Sequence, residues 1–111
     1  MYNKTHDFMM RDKLRGNGEK LKDGFVRVAA LTPKIKVADC DYNTERIIEL
    51  IKEASQKKAS LVVLPEMCIT GYTCGDLFLQ ETLLESAKRS LIKICNESLK
   101  YKNMLIFAGL P

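Results

Sequence analysis

"LVVLPEMCITGYTCGDLFLQ", Leu61 to Gln80, begins as an unbroken apolar run and turns through Pro65 into Glu66. Four apolar residues closed by a proline read as a short buried strand, Leu61 to Leu64, because Pro65 fixes φ, removes a backbone donor and ends the ladder. The glycines and polar residues that follow read as a loop. Ligands of parallel α/β sheets gather beyond the carboxyl ends of the strands, so a carboxylate at that point is a candidate general base or acid. Held beside apolar walls, such a group keeps its proton more tightly, which suits proton transfer near neutral pH. Acidic residues after strands also cap turns or meet backbone amides, and spacing alone leaves both roles open for Glu66.

Working outward, "FVRVAAL", Phe25 to Leu31, is short, apolar and bounded by Gly24 and Pro33, as expected of a second buried strand. Between the two strands, Asn43 to Lys58 places Ile47, Ile48, Leu50, Ile51 and Ala54 at helical spacing, with Asp39 or Asp41 as the amino-terminal cap. Beyond the loop, Leu84, Ala87, Leu91, Ile94 and Cys95 recur every three to four positions from Glu81 to Leu99, predicting a second amphipathic helix. "MLIFAGL", Met104 to Leu110, supplies a third strand.

The order strand, helix, strand, helix, strand, with crossovers long enough to return the chain, predicts an α/β layered architecture with parallel pairing and right-handed connections. Three strands and two helices leave an open edge and one poorly covered sheet face, the pattern of a chain cut short. Residues 1–24 are polar, mixed in charge and without a sustained apolar period, and they read as a flexible amino-terminal extension preceding a unit at 25–111. "GNG" at Gly16 to Gly18 lacks a third glycine in register and a preceding strand, so it does not make a phosphate loop.

The composition excludes several functions. The formal charge of +4 is spread along the chain, six basic and four acidic residues in 1–24 and twelve and ten in 25–111, with no basic block for nucleic acid. The four cysteines, Cys40, Cys68, Cys74 and Cys95, form no close CxxC pair, and the single histidine is His6, so no metal site is expected. No apolar run approaches the about 18 residues that span a bilayer, and the amino end has no signal-peptide core. A cytoplasmic protein with reduced cysteines, bound to neither nucleic acid nor membrane, is the expectation.

"VVLPEMCITGYTCGDLF", with "FVRVAALTPKIKVADCDYN" before it and "LIFAGLP" after it, closely resembles the amino-terminal glutaminase domains of glutamine-dependent NAD synthetases, a branch of the nitrilase, or carbon-nitrogen hydrolase, superfamily. The resemblance runs from about Lys22 to Pro111 and implies part of a nitrilase-like layered sandwich. Its catalytic set is a glutamate, a lysine and a cysteine. The glutamate, which follows a strand and a proline, corresponds to Glu66, which the resemblance makes the base that activates the cysteine for attack on the glutamine side-chain amide. The tyrosine of the "TGY" turn, Tyr72, is by the same resemblance a residue of the glutamine pocket and the ammonia exit, although an aromatic packing the turn would look the same in sequence. Gly71 is expected to permit the turn and Asp76 to fix the loop.

The family's lysine and nucleophilic cysteine have no match among these residues. Cys68 is read as a small apolar core residue rather than the nucleophile, and Lys100 and Lys102 as poor substitutes for the lysine. The resemblance also implies ATP and magnesium for a synthetase domain that has no counterpart in these 111 residues, a homo-oligomeric parent enzyme, and no glutaminase activity in this chain by itself. Two other readings stand beside it: a fragment of a different amidase of the superfamily, which "GYTCGDLF" disfavours, and a non-enzymatic module that uses the half-fold as an interaction surface.

Overall fold

The structure, a computed structural model, describes residues 4–11 and 25–111. Its elements run β1 (Lys4–Arg11), β2 (Phe25–Thr32), α1 (Cys40–Gln56), β3 (Leu61–Val63), a 3₁₀ turn (Gly75–Leu79), α2 (Glu81–Ser98) and β4 (Leu105–Phe107). The four strands form one sheet in the order β1-β2-β3-β4. β2, β3 and β4 are parallel, with Val28 opposite Leu61 and Ala30 opposite Val63, then Leu61 opposite Leu105 and Val63 opposite Phe107. This is the α/β architecture expected from the apolar runs and the long crossovers.

One strand was not expected. Within the extension assigned to residues 1–24, Lys4–Arg11 forms β1 and runs antiparallel along β2, from Lys4 opposite Thr32 to Arg11 opposite Phe25. The rest of that extension lies outside the described residues. "KTHDFMMR" carries its apolar residues consecutively rather than in alternation, so it has no period-2 signature. An edge strand can be recruited by the unpaired backbone groups of its neighbour, which leave no mark in its side chains.

α1 starts three residues before the expected Asn43, because Asp39 is its cap and accepts a hydrogen bond from the Tyr42 N–H at 3.1 Å. Its buried stripe is Asn43, Ile47, Leu50, Ile51 and Ala54. In α2 the buried positions are Leu83, Ala87, Ser90 and Ile94. That stripe is rotated from the expected one: Leu84 and Leu91 are only half-buried and Cys95 is exposed. α2 packs against α1 as well as the sheet: Leu83, Ala87 and Ile94 share one core with residues of both, and at the surface Lys93 of α2 reaches Glu45 of α1 at 2.5 Å.

Strands that follow one another in both sequence and sheet, joined by crossovers of one hand, place their helices on one face. There Ala29, Leu31, Val62 and Leu64 meet Ile47, Leu50, Ile51, Ala54, Leu83, Ala87 and Ile94 in a single core. On the opposite face Val63, Leu105 and Phe107 are 41%, 65% and 56% exposed. The sequence expectation of one poorly covered face holds for the described residues.

Candidate active site

Glu66 lies where the ends of β3 and β4 converge. The Leu64 N–H donates to the Phe107 carbonyl at 2.9 Å, carrying the pairing one residue past β3, and Pro65 then turns the chain. Glu66 is exposed, and its carboxylate has no hydrogen-bond or ion-pair partner among the described residues. Behind it runs the segment leaving β4: a β-carbon at Gly109 would stand 3.6 Å from Glu66 Cα and 3.7 Å from its Cγ. The apolar walls expected around Glu66 are therefore not supplied by these residues; the position at the carboxyl edge of a parallel sheet is.

The turn that leads away from Glu66 is held from several sides. Met67 sits at φ +60, a left-handed conformation uncommon outside glycine, and the Gly71 N–H closes the turn on the Met67 carbonyl at 2.8 Å. The Ala38 N–H donates to the Thr70 carbonyl at 2.7 Å, and the Cys74 thiol donates to the same oxygen at 3.1 Å. Asn43, fully buried, donates from Nδ2 to the Ile69 carbonyl at 2.7 Å and to the Lys36 carbonyl at 2.8 Å, while its Oδ1 accepts from the Lys36 N–H at 2.7 Å. One amide thus joins α1, the connection after β2 and the turn after Glu66.

Tyr72 is 72% exposed at the far side of that turn. It shares the β3–3₁₀ connection with Glu66, with no hydrogen bond between them. Gly71 is required: its φ is +87, and a β-carbon there would stand 3.2 Å from Val37 Cα. Asp76 does not fix the loop, since its carboxylate makes no hydrogen bond or ion pair among the described residues; Asn43 has that task. The signal in the sequence was a polar side chain in register with the apolar stripe of α1.

The remaining candidates are poorly placed for chemistry. Cys68 is 2% exposed, and burial pushes its thiol up to about 11, which keeps it protonated and inert. Lys100 is paired with Glu97 at 3.0 Å, and both Lys100 and Lys102 precede β4, at the end of the sheet opposite Glu66. The pocket of about 240 Å³ lined by Lys58, Lys100, Tyr101 and Lys102 belongs to that same opposite end. Among the described residues there is no group of three or more His, Cys, Asp or Glu able to hold a metal, and no helix long and apolar enough to cross a membrane.

Comparison with known proteins gives a consistent result. The family model described as carbon-nitrogen hydrolase matches residues 27–111. The chain is 32% identical over 88 residues to the glutamine-dependent NAD(+) synthetase of Mycobacterium tuberculosis (strain ATCC 25618 / H37Rv), a match covering 79% of this chain and 13% of that one. With the glutamine-dependent NAD(+) synthetase of Dictyostelium discoideum it shares 38% identity over 73 residues, 66% of this chain and 10% of the relative. The crystal structure of a glutamine-dependent NAD(+) synthetase from Cytophaga hutchinsonii is similar with a TM-score of 0.70 at 30% identity, over 78% of this chain and 14% of that chain. The chain therefore spans about an eighth of the length of the mycobacterial relative.

Proposed function

The chain belongs to the carbon-nitrogen hydrolase family, and from that premise we propose that residues 25–111 are the first part of a glutamine-hydrolysing domain in which Glu66 is the general base. The observation that carries this reading is the exposed carboxylate of Glu66, without a partner among the described residues, at the carboxyl edge of the parallel sheet, on a turn anchored to α1 and to the connection after β2.

In the reaction Glu66 takes the proton of a cysteine thiol as the sulfur attacks the amide carbon of the glutamine side chain. The proton then passes to the departing nitrogen, ammonia leaves, and a thioester remains, which water hydrolyses to glutamate. The family's cysteine and lysine have no counterpart among these residues, and the buried Cys68 does not stand in for the nucleophile. Tyr72 lines the glutamine side of the site in this reading. The ammonia serves ATP-dependent amidation of deamido-NAD to NAD by a synthetase domain of a homo-oligomeric enzyme. ATP and magnesium enter this reading only as requirements of that second reaction.

The test uses the complete enzyme. Glu66→Gln preserves size and removes the base, and glutamine-driven NAD formation is expected to fall by about 10² to 10⁴, the usual cost of a lost general base. NAD formation from free ammonium should persist, because it bypasses the hydrolysis. A mutant that still used glutamine at near wild-type rate would overturn the assignment.

A further inference from the structure

We infer that Asn43 is a positioning residue for Glu66, acting through its hydrogen bond to the Ile69 carbonyl. The inference rests on the reading of Glu66 as general base.

Asn43 occupies the buried stripe of α1 together with Ile47, Leu50, Ile51 and Ala54. An aliphatic residue there would extend the core and bury no polar atom. The amide instead uses both of its N–H donors and one lone pair on backbone groups outside the helix. Its orientation is set by those partners: two carbonyls face Nδ2 and one N–H faces Oδ1, so the flipped amide would point Oδ1 at two carbonyls. Aspartate cannot supply the two donors when ionised, and glutamine adds a methylene to a fully buried position. The site is built for a primary amide of this length.

What the amide holds is the turn that begins at Glu66. Ile69 is fully buried, so its carbonyl would be left unpaired without Asn43. Because the Gly71 N–H closes the turn on the Met67 carbonyl, a displacement at Ile69 is passed to Met67, the residue bonded directly to Glu66 and held at a left-handed φ. A second tie, from the Ala38 N–H to the Thr70 carbonyl, would keep the turn in being without Asn43. Loss of the amide should therefore cost precision at Glu66 before it costs the fold, and misplacing a catalytic group by about 1 Å can cost about 10²-fold in rate.

The experiment compares wild type, Asn43→Asp, Asn43→Ser, Glu66→Gln and the double variant Asn43→Asp/Glu66→Gln in the complete enzyme. It measures glutamine hydrolysis against pH, the folded fraction of each variant and ammonium-driven NAD formation. Asn43→Ser creates space for a bridging water and serves if the aspartate variant does not fold. The expected result is a kcat for glutamine about 10- to 100-fold lower per folded molecule, a displaced acid limb of the pH–rate profile, and unchanged ammonium-driven synthesis. The double variant should be no slower than Glu66→Gln alone, since the two residues act through one group. Normal kcat per folded molecule with a superimposable pH profile, or losses that multiply in the double variant, would overturn the inference. If Glu66→Gln itself retained glutamine use, the general-base reading would fall first; if it were inactive while both Asn43 variants behaved normally, only the role of Asn43 would fall.

Discussion

Val62 and Val63 are the same residue type on the same strand, yet Val62 is fully buried beneath the helices and Val63 is 41% exposed on the other face of the sheet. Their strand neighbours divide in the same way, Ala29 and Leu64 with Val62, Leu105 and Phe107 with Val63. Both faces are apolar because strands of parallel sheets are ordinarily covered on both sides. Among the described residues the helices cover only one face; on the other, Val28 of β2 is buried while Val63, Leu105 and Phe107 of β3 and β4 stay exposed. The contrast separates the burial an apolar strand is suited to from the burial that its neighbours in the fold provide.

The largest test of that contrast lies in the core. In the 111-residue chain, Ile51→Ala removes a side chain with no exposed surface, and a loss of about 2–5 kcal/mol is expected by urea unfolding. Leu105→Ala, on the uncovered face, is expected to change stability by no more than about 0.5 kcal/mol. Equal losses would show that both faces are packed. A finer comparison uses the adjacent valines. Val62→Ala should cost about 2 kcal/mol, from two lost methyl groups and the space they leave, while Val63→Ala costs less than half as much. If the same pair is measured in the complete protein, a rise of the Val63 value towards that of Val62 would reveal a second layer packed on this face.

The smallest effect concerns the uncovered face itself. The 111-residue chain should bind a hydrophobic dye or self-associate more than an intact domain of its size, and Leu105→Ser with Phe107→Ser should diminish both. A monomer that melts sharply and binds no dye would break the comparison.

How far the sequence could be read depended on whether the responsible force is local. Pro65 followed by Glu66 marks the end of β3 because proline acts on its own backbone, and the structure ends β3 at Val63 with one further hydrogen bond at Leu64. The helices were visible through their 3.6-residue period. Their fine placement was legible only in part: Asp39 stood as one of two candidate caps and starts α1 at Cys40, while the buried stripe of α2 is rotated from the one its period predicts. β1 was missed because its partner is the edge of β2, which no pattern within "KTHDFMMR" discloses. Asn43 was read only as the start of a helix, since its importance lies in a carbonyl 26 residues away.

The sequence by itself determined the order of the elements from β2 to β4, the α/β class, the place of Glu66 after a strand and the motif that joins the chain to its family, because each is written in a local period or a short run of residues. Only the tertiary structure decided which face of the sheet is covered, which backbone β1 borrows, and that Asn43 rather than Asp76 holds the turn behind Glu66. An apolar strand residue fits either face equally well, and a buried amide can serve any carbonyl within reach, so these choices are made by the arrangement of distant segments.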